Sequence, residues 1–136
     1  MSDQPIAPVG PGDAIRARVP EVLRMYAETR RNVLEGGAVE VELKDLCARY
    51  LAEDEAVTGF ESSDAFTPRQ RAALQWTHAI AWDPSRADDE LWERLHEEFS
   101  EPELAELGYC IAILHGQLHW LRTLGIQPEP GQALTI

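Results

Sequence analysis

Cysteines and long apolar runs are scarce in this chain. Cys47 and Cys110 stand far apart in the sequence, so they form neither a Cys-x-x-Cys pair nor the disulfide framework of a secreted protein. No apolar stretch reaches the ~18 residues that a membrane-spanning helix needs. Residues 1–13 hold three prolines and no apolar core of the kind found in signal peptides. We therefore expect a cytoplasmic protein without a membrane partner.

Positive charge is scarce as well. The 136 residues include 24 acidic and 12 basic side chains, which gives a formal net charge of −12. A surface of this charge repels the phosphates of nucleic acids, so nucleic acid is not expected as a partner. The sequence also has no glycine-rich phosphate loop, no nucleophile elbow and no cluster of zinc ligands. These absences predict a protein that needs neither a metal nor a cofactor.

Helix signals recur along the chain, whereas strand signals are weak. We expect a flexible N-terminal tail over 1–13, one helical domain over 14–127 and a C-terminal tail over 128–136. Periodicity and capping predict an all-α fold with five main helices, at about 20–34, 41–57, 67–82, 87–99 and 100–125. Thr67 and Ser100 each open a capping box, with a proline in the first turn of the helix that follows.

The fifth predicted helix is apolar on two sides. One stripe consists of Leu104, Leu107, Ile111, Leu114, Leu118 and Leu121, and a second consists of Tyr109, Ile113 and Trp120. His115, His119 and Arg122 lie on a narrow arc between the two stripes. A helix that is apolar on two sides must be covered on two sides, and in so short a chain the second cover is expected to be another subunit. The pattern therefore predicts a homo-oligomer.

Several blocks of sequence resemble one protein superfamily over roughly residues 20–127. The blocks are Leu43-Lys-Asp-Leu-Cys47, Trp82-Asp-Pro84, Ala87-Asp-Asp89, Leu91-Trp92, Phe99-Ser-Glu-Pro-Glu-Leu-Ala-Glu-Leu-Gly-Tyr109, Gly116-Gln117 and Trp120-Leu-Arg-Thr-Leu-Gly-Ile126. They are similar to the alkylhydroperoxidase D-like, carboxymuconolactone decarboxylase superfamily. This resemblance implies an all-helical subunit that assembles into dimers, trimers or hexamers, with sites near the subunit contacts.

The chain departs from that superfamily at its redox motif. In redox-active relatives a glutamate precedes the first cysteine of a Cys-x-x-Cys pair by twelve residues, and a histidine follows. The resemblance places the carboxylate at Asp45 and the two cysteine positions at Val57 and Phe60, which can form neither a thiolate nor a disulfide. No histidine occurs between Ala48 and Thr77. We therefore do not expect thiol peroxidase activity of the family type.

The candidate catalytic residues are His115, His119 and Asp45. A histidine with a pKa near neutrality can move a proton on a small substrate. Two histidines one helical turn apart can also hold a metal, but no sequence pattern supplies the third ligand. Alternatively, both histidines pack at a subunit contact, and Asp45 is a solvated partner of Arg49 one turn later.

The candidate substrate-binding residues are Arg122, Gln117 and Tyr109. Arg122 is the natural clamp for a carboxylate, because a guanidinium can bind both carboxylate oxygens. The acidic run Glu53-Asp-Glu55 is interpreted as a solvated helix end, and His78 stands in no distinguishing context.

These patterns leave three functional hypotheses. The leading one, by analogy with the decarboxylase branch of the superfamily, is a cofactor-independent acid–base enzyme: a lyase, decarboxylase or isomerase acting on a small carbonyl or carboxylate compound. The second is a non-enzymatic, degenerate paralogue that serves assembly, ligand binding or regulation. The third is residual hydroperoxidase activity at Cys47 and Cys110, although both cysteines lie on apolar helical faces and are expected to be buried.

Overall fold

The computed structural model describes residues 6–129 and 131–136, and all regular structure within them is helical, as predicted. The α-helices are α1 (Pro11–Arg16), α2 (Pro20–Thr29), α3 (Val41–Leu51), α4 (Glu55–Thr58), α5 (Pro68–Ala81), α6 (Asp89–Glu98) and α7 (Glu101–Thr123). A π-helical turn (Arg30–Leu34) continues α2, and 3-10 turns lie at Phe60–Ser62, Pro84–Arg86 and Ala133–Thr135. The five predicted helical segments are present, although the second is divided into α3 and α4, and α1 is a short addition. None of the helices in the described ranges is both long enough and apolar enough to cross a membrane.

The two predicted capping boxes form the starts of α5 and α7. The Thr67 hydroxyl accepts the backbone N–H of Gln70 at 3.1 Å, and the Gln70 side chain accepts the backbone N–H of Thr67 at 2.9 Å. Ser100 and Glu103 make the same reciprocal pair at 3.3 and 2.9 Å. These bonds satisfy N–H groups that have no partner inside the helix. The helices that carry His78, His115 and His119 therefore begin at positions that the local sequence determines.

The chain turns between α3 and α4, where one continuous helix had been predicted. Glu53 has a φ of +61°, in the left-handed region that ends helices. Asp54 then accepts the backbone N–H of Ala56 at 3.0 Å and caps α4. The prediction of a single helix to Val57 was therefore wrong, because the acidic run forms a turn followed by a new helix start.

Helix α7 supplies the centre of the core. All six residues of its first apolar stripe are at most 4% exposed: Leu104, Leu107, Ile111, Leu114, Leu118 and Leu121. Helices α3 and α5 pack against α7 and against each other. On the second stripe, Tyr109 is 53% and Trp120 is 39% exposed, so a single chain leaves this side of α7 largely uncovered.

A buried ionic network ties α1 to α7 and to the last residues of the sequence. Asp13 and Arg16 are 0% and 1% exposed. Arg16 donates to Asp13 at 2.8 Å, to the carbonyl oxygen of Ile136 at 2.9 Å, and to the side-chain oxygen of Gln117 at 3.0 and 2.8 Å. Arg30 donates to both carboxylate oxygens of Asp13, at 3.0 and 2.8 Å. Burial alone would raise the pKa of Asp13, but the hydrogen bonds from Arg30, a backbone N–H and Arg16 outweigh it and lower the pKa.

This network packs residues that were predicted to lie in tails. Helix α1 begins at Pro11, and Asp13 is fully buried within the network. In the segment 128–136, Ala133, Leu134 and Ile136 are between 2% and 6% exposed and belong to the core. The hydrogen bonds of Arg16 to Gln117 and Ile136 join residues more than a hundred positions apart, so local patterns did not indicate them. Residues 1–5 of the predicted N-terminal tail lie outside the described residues.

Candidate active site

Trp82 lies at the centre of a cluster of aromatic and imidazole rings. Its ring centroid is 5.7 Å from those of Tyr50 and His78, and 6.4 Å from those of His115 and His119. We call these five residues the Trp82 cluster. Tyr50 comes from α3, His78 from α5 and the two other histidines from α7. The cluster therefore depends on how these three helices pack together.

The position of Trp82 follows from the end of α5. Pro84 disfavours a helical conformation in the residue before it, so the helix must end near this point. Trp82 leaves the helical conformation with a φ of −130°, while its N–H still donates to the carbonyl oxygen of His78 at 2.8 Å. Its side chain is 39% exposed. The ring thus lies partly at the protein surface, next to the rings of Tyr50 and the three histidines.

Tyr50 and His78 form a hydrogen-bonded pair within the cluster. The Tyr50 hydroxyl oxygen lies 2.9 Å from Nδ1 of His78. Burial, assisted by the negative charge of Glu61, raises the pKa of Tyr50, so its hydroxyl keeps its proton at neutral pH. The hydroxyl donates when Nδ1 is unprotonated and accepts when Nδ1 carries the proton. The pair can therefore hold and pass a proton.

His115 and His119 form a second pair. Their ring centroids are 4.3 Å apart, and within the described residues Nδ1 of His115 and Nε2 of His119 are buried without a hydrogen-bond partner. Burial lowers the pKa of His115, and the positive charge that His119 can carry lowers it further. His115 is therefore neutral at pH 7 and able to accept a proton. No third metal-binding side chain in the described ranges joins the pair. Among the described residues, no three His, Cys, Asp or Glu side chains lie close enough together to hold a metal ion.

An open cavity of about 330 Å³ borders the cluster. It is lined by Tyr50, Glu53, Thr58, His78 and Trp82, and we call it the open cavity. Its volume is at the lower end of the range for small-molecule sites and too small for a large cofactor. Trp82 lines this cavity and also neighbours His115 and His119, which are not among the residues that line it.

Arg122 and Glu53 form an ion pair beside the open cavity. The Nη1 atom of Arg122 lies 3.7 Å from Oε2 of Glu53, and the two side chains are 33% and 65% exposed. Such an exposed pair contributes little to stability, so the guanidinium remains free to bind the carboxylate of a ligand. Arg122 also lines a further cavity of about 210 Å³ together with Arg49. Glu53 thus lines the open cavity and pairs with Arg122. The sequence analysis had interpreted it only as part of a solvated helix end.

The other predicted site residues lie elsewhere. Asp45 is half-buried, and burial raises its pKa while the nearby Arg49 opposes this effect. Arg49 is itself paired with Asp54 at 2.9 Å. Gln117 accepts both of its side-chain hydrogen bonds from Arg16 in the buried network, and Tyr109 points outward on the exposed side of α7. The structure thus pairs His115 with His119 and places Arg122 against Glu53, whereas the remaining three candidates lie in other surroundings.

Three members of the cluster, Tyr50, His78 and Trp82, were not among the predicted site residues. Tyr50 and His78 were treated as ordinary helical residues, since neither stands in a motif. The available signal was that both precede helix ends, where side chains from neighbouring helices can meet. Only the packing of α3 on α5 shows that they touch.

Both cysteines are buried in the core. Cys47 and Cys110 are 0% exposed and unpaired, and burial raises the pKa of each thiol to about 12. At neutral pH neither forms the thiolate that hydroperoxide reduction needs. Val57 and Phe60, where the resemblance places the missing redox cysteines, are also buried in the core. The Phe60 ring packs 5.7 Å from that of Tyr50, next to the Trp82 cluster.

No family model, no curated protein and no solved structure matches this chain. Membership in the alkylhydroperoxidase D-like superfamily therefore remains a prediction that rests on the sequence blocks.

Proposed function

We propose that this protein is a cofactor-independent acid–base enzyme, a lyase, decarboxylase or isomerase that acts on a small carbonyl or carboxylate compound. The observation that carries the proposal is the Trp82 cluster, in which two histidine-containing pairs meet one tryptophan beside an open cavity. Acid–base catalysis works best with groups whose pKa lies near the working pH. Histidine is the side chain that meets this condition near neutrality.

His115 is the proposed general base. It is neutral at pH 7 because burial lowers its pKa. It removes a proton from the carbon next to a carbonyl group, which leaves an enolate. His119, with its ring centroid 4.3 Å away, disfavours a lasting positive charge on His115. The proton therefore returns readily to the product, at the same carbon or at another one.

The Tyr50–His78 pair is the proposed acid. The Tyr50 hydroxyl keeps its proton and can donate a hydrogen bond to the enolate oxygen as negative charge develops there. His78 holds this hydroxyl at 2.9 Å and fixes its direction. Arg122 is the proposed clamp for a substrate carboxylate, with Glu53 as its partner when the site is empty.

We also propose that the chain assembles with copies of itself, as a dimer, trimer or hexamer, through the uncovered side of α7. Tyr109, Trp120 and Leu124 are 53%, 39% and 50% exposed. Large apolar side chains along one helix side favour a protein contact over a solvated surface. Sedimentation of Trp120→Glu should show a smaller species than wild type. Trp92→Glu, which changes another exposed tryptophan, should leave the mass unchanged, and a monomeric wild type would contradict the proposal.

Proton exchange into deuterium oxide tests the catalytic proposal without a known substrate. Proton NMR would follow exchange or decarboxylation in a panel of small 2-oxo and 3-oxo acids. We expect wild type to accelerate at least one compound over buffer, and His119→Ala to abolish the acceleration while the oligomer persists. Turnover that survives substitution of both α7 histidines would remove the proposal, and so would a panel in which wild type accelerates nothing.

A further inference from the structure

A second cavity, of about 290 Å³, is also lined by His78. We call it the polar cavity. Besides His78, its lining includes the charged side chains Glu61, Arg86, Asp88 and Arg94 and the polar side chains Gln75 and Ser85. These residues come from α5, α6 and the turns that flank α5. Such a lining suits a small polar ligand and not an apolar one.

Two lining residues have unsatisfied hydrogen-bonding atoms. Nε of Arg94 and Oε1 of Gln75 are buried, and neither has a partner in the described part of the chain. Arg94 also takes part in none of the ion pairs among residues 6–129 and 131–136. Buried polar groups without partners are uncommon and costly in folded proteins. Nε of Arg94 and Oε1 of Gln75 are themselves covered, so a ligand in the cavity would bind the other polar atoms of these two lining side chains.

The charges around the polar cavity have both signs. Arg86 and Arg94 are positive, whereas Glu61 and Asp88 are negative. The partial pairing is weak or local: Arg86 lies 3.5 Å from the exposed Asp83, and Asp88 accepts the backbone N–H of Leu91 at 2.9 Å. A simple anion would meet two carboxylates there, and a simple cation would meet two guanidinium groups. A molecule with one group of each sign finds a partner for both.

We infer that the polar cavity binds a small zwitterion, an α-amino acid or a related amino-carboxylate. Its carboxylate binds Arg94, and its ammonium group lies toward Glu61 and Asp88. A cavity of about 290 Å³ holds a molecule of this size and excludes a nucleotide. His78 lines both cavities and contacts Tyr50, so the bound zwitterion lies beside the Tyr50–His78 pair. This inference concerns binding and does not depend on the proposed proton transfer.

An NMR titration of the full chain tests the inference. The probes are L-serine, 2-aminoethanol, which lacks the carboxylate, and 3-hydroxypropanoate, which lacks the ammonium group; L-glutamine serves as a larger zwitterion. We expect at least one amino acid to shift the amide signals of residues 75–94. We expect L-serine to bind at least about tenfold more tightly than either of its two analogues, a difference typical of a lost charged contact.

Variants of the lining residues then test which charged side chain binds the carboxylate and which binds the ammonium group. Arg94→Met should abolish amino-acid binding, whereas Arg31→Met, at an exposed arginine far from the cavity in sequence, should leave it unchanged. Glu61→Gln provides a milder change, expected to weaken the zwitterion without affecting 3-hydroxypropanoate. Circular dichroism confirms that each variant is folded. The inference would be overturned if neither amino acid binds, if one analogue binds as tightly as L-serine, or if folded Arg94→Met binds like wild type.

Discussion

The Tyr50 hydroxyl lies 2.9 Å from Nδ1 of His78, and this contact joins α3 to α5 beside Trp82. On one side Tyr50 packs against Phe60 in the core, with ring centroids 5.7 Å apart. On the other side it lines the open cavity. The proposed proton-transfer pair is therefore held by core packing. Changes in the packing of α3, α5 and α7 should shift the positions of Tyr50 and His78.

Two glycines of α7 should respond oppositely to alanine. A Cβ at Gly108 would lie 2.8 Å from Cη2 of Trp76, whose ring is itself held against Trp92. Overpacking of this kind should lower the free energy of unfolding by about 1–3 kcal/mol. A Cβ at Gly116 would meet nothing within 4 Å, so Gly116→Ala should raise it by about 0.5–1 kcal/mol. Urea denaturation measures both, and a Gly108→Ala variant as stable as wild type would show that the contact is loose.

Glu53 is strained by its left-handed backbone, with φ at +61°. Glycine adopts this conformation freely, so Glu53→Gly should raise the free energy of unfolding by about 1 kcal/mol. Glu55→Gly, in the first turn of α4, should instead lower stability by about 0.5–1 kcal/mol. If Glu53→Gly is no more stable than wild type, strain at this residue is not significant.

The starts and ends of most helices could be predicted because their causes are local. Thr67 and Ser100 act on residues three positions away, and proline and glycine act on their immediate neighbours. The break at Glu53 was missed because glutamate rarely adopts a positive φ, and no glycine marks the turn.

The site was predicted only in part, because its contacts join residues distant in sequence. Periodicity placed His115, His119 and Arg122 on one side of α7; the structure pairs the two histidines and shows Arg122 paired with Glu53. The same reasoning could not show that Gln117 is occupied by Arg16, over a hundred positions earlier, or that Tyr50 meets His78. A helical pattern identifies a side of a helix but not the neighbour that covers it.

The cysteines should be unreactive in the folded protein. Because burial raises the pKa of Cys47 and of Cys110 to about 12, an aromatic disulfide reagent should label neither thiol at pH 8 on the timescale of minutes. Both should react at once in guanidinium chloride, which serves as the control for reagent and thiol content. Rapid labelling of the native protein, or hydroperoxide reduction lost in Cys47→Ser, would contradict the exclusion of thiol chemistry.

His115 should make the protein less stable in acid. Burial and the nearby His119 lower its folded-state pKa below the ordinary value of 6.5, so the unfolded chain binds more protons at this residue. The contribution of His115 to the free energy of unfolding is therefore unfavourable below about pH 6.5 and disappears above it. His115→Gln should flatten the fall in urea midpoint between about pH 7 and about pH 5.

His96 provides a control of opposite sign. Its pKa is raised by its hydrogen bond to the Trp92 carbonyl and by Glu101, so its contribution is present below pH 6.5 and is lost as the pH rises through the raised value. His96→Gln should therefore steepen the loss of stability in acid. An unchanged pH dependence in His115→Gln would show that the buried imidazole is charged or solvated.

The decisive measurement is the rate of deuterium incorporation next to the carbonyl group of an accelerated compound, at neutral pD, in wild type, His115→Gln and His96→Gln. Proton transfer by His115 predicts a loss of at least about 100-fold in His115→Gln and the wild-type rate in His96→Gln. Equal rates in all three folded proteins would show that the histidine pair at Trp82 does not move the proton.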